Sequence, residues 1–466
     1  MGEIEAKITA GLDPAAAVQA VSERYAGLFN ASPLPYIREK AHDVADLAAR
    51  LIFNLCHAAD ALASEFGQRI VVAETLFPSE VLTLAAEGVS GIILVHGGLT
   101  AHVAILAQSL DLPLLICEAP ELLKLRSGTF IIVDGETGNI YLDPGPEIIA
   151  TFKNQQELKR QSHTHTPEPL TLTRDGRRVQ LMANINLLSE VRLASELKAE
   201  GIGLYRSEFP FLIRTSFPTE NEQFQIYRRL LSDAPGAEVT FRTLDIGGDK
   251  LLSYSDLETG DNPALGLRSI RFSLKHTGIF KQQLRAILRA AADFKNLRIM
   301  FPLISSLEEF MDARRLVDEC RNELTRGGVA HHRRPQIGMM VELPAVVEIM
   351  PELSREADFF CIGTNDFVQY LLGVDRTNAQ MASYYRPGHP AVLRAIKRIS
   401  DACQASGKEL SVCGEMAHDP DFIEFFVGLG ITKLSLDPRQ LYATQRIIAT
   451  IDSTAAREHA AAMLKG

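Results

Sequence analysis

At 466 residues, with 46% hydrophobic and 23% charged residues, the chain exceeds what one hydrophobic core usually supports, so two or three folded domains are expected. A formal net charge of −10 excludes a protein that coats nucleic acid or an acidic membrane surface, and no apolar run reaches the ~18 residues of a membrane span. Six scattered cysteines with no Cys-x-x-Cys spacing, and an N-terminus without a basic or apolar leader segment, read as reduced thiols in a cytoplasmic protein.

Residues 1–66 read as helical, because DPAAAVQAVSERYAGLF and YIREKAHDVADLAARLIFNLCHAADALASEF place apolar side chains every three or four positions without strand-like alternation. From 67 to 148 short strands alternate with short helices in RIVVAET, GIILVHGG, LPLLICE and TFIIVDGETGNIYLDP, the last with a hairpin turn at D-G-E-T-G-N. A small α/β domain is expected there. Within it, GGLTAHVAILAQSLDLP sets His102 between two glycines and a helix-like run. A histidine at a helix start lies against the positive end of the dipole and near unpaired N–H groups, a setting that disfavours imidazolium and accommodates an added phosphate. Such a ring can be neutral, nucleophilic and then phosphorylated. Gly97 and Gly98 let the backbone approach closely, and Thr100 offers a hydroxyl to the ring or the phosphate.

Residues 149–178 are polar and interrupted by prolines, the composition of a connecting segment. His163 and His165 within it read as solvated linker residues rather than metal ligands. From 179 to 466 follow eight strand-like runs, VQLMANI, GIGLYRSEF, EVTFRTLDIGG, LRIMFPLI, QIGMMVELP, FFCIGTNDF, ELSVCGEM and ITKLSLDP, most trailed by an amphipathic helix pattern. Alternating β and α units in that number predict a (β/α)8 barrel, with an open doubly wound sheet as the alternative.

Most of these runs are apolar through the middle and acquire functional groups at the C-terminal end: Arg206, Arg242, Glu342, Asn365 with Asp366, and Cys413. In a barrel those ends converge on one mouth. Arginine presents a planar fork that suits carboxylate and phosphate oxygens, so Arg206 and Arg242, joined by Arg376 from LGVDRTN, fit a small, multiply anionic substrate. Glu342 and Asp366 are hard oxygen donors of the kind that hold Mg2+. Arg268, in NPALGLRSIR, is either a further anion contact or the partner of a barrel carboxylate. Cys413 closes its strand before a glycine, where a thiol can act as general acid and a buried structural cysteine is the alternative. Together these groups point to phosphoryl chemistry.

The segments GGLTAHVAILAQSLDLP, GIGLYRSEF, FRTLDIGGDK, NPALGLR, MVELPA, FFCIGTNDFVQYLLGVDRTN and VCGEMAHDP, in this order, resemble the phosphoenolpyruvate-utilising family and, within it, Enzyme I of the bacterial sugar phosphotransferase system. The resemblance implies that His102 accepts the phosphoryl group, that Arg206, Arg242 and Arg376 hold phosphoenolpyruvate, and that Asn365 contacts its phosphate. It further implies that Glu342 and Asp366 bind Mg2+ and that Cys413 protonates the enolate to pyruvate. The implied acceptor beyond His102 is a histidine of an HPr-like phosphocarrier protein, reached by a swing of the phosphohistidine domain about the connector, in a homodimer joined through the barrel.

Departures from the family pattern are Ala101 and Gln108, where a serine and an arginine are usual around the histidine, and SLDPRQL after the last barrel strand. Losing the cation at 108 is expected to weaken phosphate stabilisation beside His102. The N-terminus is short against the family pattern, so residues 1–66 read as part of a carrier-binding helical bundle. Two other readings compete. A regulatory or scaffold member would keep the fold without relaying phosphate, and a fragment of a synthase or dikinase would need an ATP-binding domain.

Overall fold

The computed structural model describes residues 2–30, 69–76, 87–95, 112–117, 119–134, 138–146, 167–212, 217–247, 262–376 and 378–465, with a few isolated positions between them. His102, its neighbours Gly97, Gly98, Thr100, Ala101 and Gln108, and His163 and His165 lie outside the described residues, as does much of the expected connector. Met1–Gln155 with Ser253–Asp256 form one compact unit, and Gln156–Leu252 with Leu257–Gly466 form a larger one.

In the smaller unit, helices Gly2–Thr9 and Pro14–Asn30 flank a turn at Gly11, whose φ of +92° suits glycine. The carboxylate of Asp13 accepts the N–H groups of Ala15 and Ala16 at 3.0 and 3.2 Å, capping the second helix. Strands β1 (Ile70–Ala73), β2 (Gly91–Leu94) and β3 (Leu114–Ile116) form a parallel sheet in that order. The middle strand is buried along its whole length, which is why its sequence is continuously apolar rather than alternating. Strands β4 (Ile131–Asp134) and β5 (Asn139–Leu142) pair antiparallel as the expected hairpin. Ile93, Val95 and Leu122 pack with Ile131, Val133 and Ile140, so sheet and hairpin share one core.

The larger unit opens with β6 (Thr171–Leu172), antiparallel to the first of eight parallel strands. These are β7 (Arg178–Ile185), β8 (Gly201–Arg206), β9 (Glu238–Arg242), β10 (Leu297–Phe301), β11 (Gln336–Val341), β12 (Phe359–Gly363), β13 (Glu409–Cys413) and β14 (Lys433–Leu436). Each pairs with its successor, and β14 pairs with β7, so the sheet closes on itself. The eight expected runs are the eight strands of a barrel, and the open-sheet alternative falls. Because all are parallel, their C-terminal ends share one face.

Leu204, Met300, Met340, Phe359, Cys361 and Cys413 cluster inside the barrel. Packing there is close enough to require glycine: a Cβ on Gly338 would lie 2.5 Å from the Phe359 carbonyl oxygen. The end opposite the mouth is closed by charge. Arg298 Nη1 meets Glu238 at 3.0 Å and Glu409 at 2.5 Å, while Lys433 Nζ meets the same two acids at 2.6 and 3.0 Å. The Arg298 guanidinium also lies over the Phe359 ring, 4.4 Å from its centroid. Two cations and two anions neutralise one another at the strand starts, leaving the other end of the barrel to carry chemistry.

Candidate active site

At the mouth, Arg206 and Arg242 are the last residues of β8 and β9 and stand opposite each other in register. Glu342 follows β11 directly, and Asn365 and Asp366 lie in the first turn of the helix Thr364–Leu372, which begins without a loop after β12. Gly363 makes that junction possible, since a Cβ there would lie 2.9 Å from Cγ of Glu342. Cys413 ends β13, and its own backbone carbonyl accepts the Thr364 hydroxyl at 2.8 Å.

The charged groups form an alternating chain across this face. Glu208 Oε1 lies 2.5 Å from Arg242 Nη2, which lies 3.1 Å from Asp245 Oδ2. Asp245 Oδ1 is 3.2 Å from Arg268 Nη2, the same nitrogen is 3.3 Å from Asp366 Oδ2, and Asp366 Oδ1 is 3.6 Å from Arg376 Nη2. Glu208, Arg242, Asp245, Arg268 and Asp366 are all buried. Burial works against the charge on Arg242 and Arg268, but the flanking acids outweigh it and hold both pKa values above the ordinary arginine range.

Arg206 stands outside this chain. Among the described residues its side chain donates to the neutral Asn186 Oδ1 at 3.4 Å. Burial and the positive charge of Arg242 lower its pKa, outweighing the nearby Glu208, and among the described residues it forms no ion pair. An added anion would relieve that.

Glu342 is buried and accepts the Leu303 N–H at 2.7 Å. Leu303 holds a left-handed φ of +52°, an unfavourable conformation for leucine. Burial, then the nearby charges of Asp366 and Asp245, push the Glu342 carboxyl up to about 8. Asn365 is fixed from two sides: its Nδ2 donates to Glu415 Oε1 at 3.3 Å, and its Oδ1 accepts the Glu415 N–H at 2.8 Å. The Cys413 thiol is pushed well above its usual range by its hydrogen bond with Cys361 and by burial, so it keeps its proton at neutral pH.

The structure thus gathers Arg206, Arg242, Arg268, Glu342, Asn365, Asp366, Arg376 and Cys413 at one end of the barrel. Of the two places open to Arg268 from the sequence, it takes the pairing with barrel carboxylates. Sequence reasoning passed over Glu208, Asp245, Cys361 and Tyr370, whose hydroxyl accepts from Arg268 Nη1 at 3.0 Å. An acid two or three residues beyond a strand-terminal arginine, as in Arg206-Ser207-Glu208 and Arg242-Thr243-Leu244-Asp245, was the available signal.

Residues 160–453 match the PEP-utilising enzyme, PEP-binding domain, and residues 66–138 match the PEP-utilising enzyme, mobile domain. A phosphoenolpyruvate-protein phosphotransferase of Bacillus sp. (strain S) is 39% identical over 416 residues, 88% of this chain and 72% of that protein. One from Staphylococcus carnosus (strain TM300) is 36% identical over 98% of this chain and 80% of its own length, and one from Bacillus subtilis (strain 168) is 36% identical over 93% and 77%. The chain belongs to the phosphoenolpyruvate-protein phosphotransferase family.

For this phosphotransferase the crowding of Glu342 has a consequence for stability. A carboxyl whose folded pKa is raised from about 4.5 to about 8 contributes stability below the unfolded value and loses it as pH rises through the folded one. In divalent-free buffer the wild-type melting temperature should therefore fall between pH 5 and pH 8. Glu342→Gln keeps an oxygen for the Leu303 N–H and removes the charge, so at pH 8 it should melt several degrees above wild type. A variant no more stable than wild type across this range would mean that Glu342 is not penalised.

Proposed function

We propose that this chain transfers the phosphoryl group of phosphoenolpyruvate to His102, releases pyruvate, and passes the phosphoryl group to a histidine of an HPr-like phosphocarrier. The observation that carries this reading is the mouth itself, where Arg206, which has no ion pair among the described residues, stands across from Arg242 at the strand ends. A substrate phosphate and carboxylate supply the missing negative charge. Arg376, 31% exposed along its side chain and only loosely held at 3.6 Å from Asp366, is placed to turn from that acid to the phosphate. Asn365, held by Glu415, orients the phosphate, and the protonated Cys413 thiol delivers a proton to the methylene carbon of the departing enolate.

The donor set also fits a magnesium ion. Among the described residues no group of three or more His, Cys, Asp or Glu side chains forms a ready cage, but Mg2+ ordinarily takes one or two carboxylates and completes its shell from substrate oxygens and water. Glu342 and Asp366 would supply the two carboxylates, both buried and close enough for the charge of Asp366 to bear on Glu342. When bound, the ion would neutralise charge on the phosphate and on the enolate oxygen. Asp366 is also held by Arg268 and Arg376 at 3.3 and 3.6 Å, so it would share its charge between these guanidinium groups and a bound ion.

The active form we propose is a homodimer joined through the barrel and located in the cytoplasm. In support of the latter, no described helix is long and apolar enough to cross a membrane, and the described cysteines are free thiols. Mixed rapidly with phosphoenolpyruvate and Mg2+, the protein should give a burst of one pyruvate per chain, with further turnover only when carrier is added. Pyruvate formed at the same rate in excess EDTA would contradict the role given to Glu342 and Asp366. No pyruvate under either condition would favour the scaffold reading.

A further inference from the structure

A cavity of about 500 Å³ lies in the barrel unit, lined by the helices Pro390–Ser406 and Ser453–Met463 and the turn at Gly428–Gly430. It is remote from the mouth. Arg177 immediately precedes β7, Gly430 precedes β14, and the helix Pro390–Ser406 ends just before β13, so the lining gathers at the strand starts.

Its lining carries three cations, Arg177, Lys397 and Arg457, against one acid, Asp401, a surplus of two positive charges (three minus one). Asp401 is engaged by Lys397, whose Nζ lies 2.6 and 2.5 Å from its two oxygens. Neither guanidinium of Arg177 or Arg457 has a hydrogen bond or ion pair among the described residues. The contrast within one short stretch is informative. Arg174 meets Asp452 at 3.3 Å and Arg178 meets Glu200 at 2.5 Å, so the acids nearby are taken and the half-buried Arg177 between them is left facing the cavity.

Two glycines hold the walls. A Cβ on Gly428 would lie 2.1 Å from the Ala456 carbonyl oxygen, so the helices meet backbone to backbone there. Gly430 has φ +84°, and a Cβ on it would lie 2.9 Å from Gln404 Nε2 and 3.6 Å from Arg177 Nη2. Any side chain at 430 would press on the groups that line the cavity. Gln404 is itself fixed, its Nε2 donating to the Leu429 carbonyl at 2.7 Å and to Ser400 Oγ at 3.1 Å.

We propose that this cavity is a second anion site that takes a small organic dianion, a phosphomonoester or a dicarboxylate, between the Arg177 and Arg457 guanidinium groups. Its charge matches the surplus, and the guanidinium forks of the half-buried Arg177 and the exposed Arg457, both in the lining, suit either head group. The site is independent of the barrel mouth and of the transfer to His102.

The test is calorimetric titration of the full chain at low ionic strength with glycerol 3-phosphate and, separately, with succinate, because screening weakens such contacts. Wild type should show two binding events for at least one of these ligands. Arg177→Gln/Arg457→Gln should weaken one event at least about tenfold, leaving the other event, the urea midpoint and phosphoenolpyruvate turnover unchanged. Arg206→Gln should remove the complementary event. Whichever ligand keeps the event that depends on Arg177 and Arg457 identifies the head group. Isotherms for both ligands that are the same in wild type and in the double variant, or no binding of either at millimolar concentration, would overturn the proposal.

Discussion

Cys413→Ala is expected to lower pyruvate formation about 10²- to 10⁴-fold, the range that a positioned general acid supplies, while leaving KM for phosphoenolpyruvate within a few-fold of wild type. The split follows from position. Cys413 lies in the buried cluster inside the barrel, whereas the arginines that would hold the anion stand at and beyond the strand ends. Removing the thiol therefore removes a proton and little affinity. Cys361→Ala serves as the control, because it deletes the hydrogen-bond partner and keeps the donor. It should cost far less activity. Steady-state pyruvate assays on the two variants decide the matter: a Cys413→Ala enzyme within threefold of wild-type kcat would return Cys413 to the structural cysteine that the sequence also allowed.

Arg242→Met should cost about 3–5 kcal/mol of stability, as expected when one partner of a buried ion pair is removed, together with essentially all activity. Arg242 is 5% exposed and neutralises Glu208 and Asp245 at 2.5 and 3.1 Å. Asp245 retains Arg268 when Arg242 is lost, but Glu208 is left as a buried carboxylate without its guanidinium. Adding Glu208→Gln to Arg242→Met should restore much of the urea midpoint and none of the activity, because the neutral amide relieves the stranded charge without supplying a cation to the substrate. Equal losses in the single and double variants would mean that packing, and not charge, makes Arg242 necessary.

The barrel was legible because its strands are continuously apolar, bounded by polar ends and spaced by helix patterns, so even VQLMANI and ITKLSLDP stood out at their places. Arg206, Arg242, Glu342 and Cys413 could be read because each lies at or just past a strand end, a position that one-dimensional sequence preserves. Asp245 and Arg268 were harder. Nothing local says that an arginine in a loop will meet both an acid after β9 and Asp366 beyond β12; only closure of the ring brings them together. The N–H that holds Glu342 was invisible for another reason, since leucine at 303 carries no hint of its left-handed backbone. The charge plug under the barrel was equally hidden, because Glu238, Arg298, Glu409 and Lys433 read singly as ordinary surface residues.

The most direct measurement is transfer of label from [32P]phosphoenolpyruvate to the chain in the presence of Mg2+, run on wild type and on His102→Ala. Wild type should acquire one phosphate per chain that is labile in acid and stable in base, as expected of a phosphohistidine, and His102→Ala should acquire none. Equal label in the two proteins would remove His102 as the acceptor, and pyruvate released without any labelled protein would leave a barrel that cleaves phosphoenolpyruvate without relaying its phosphate.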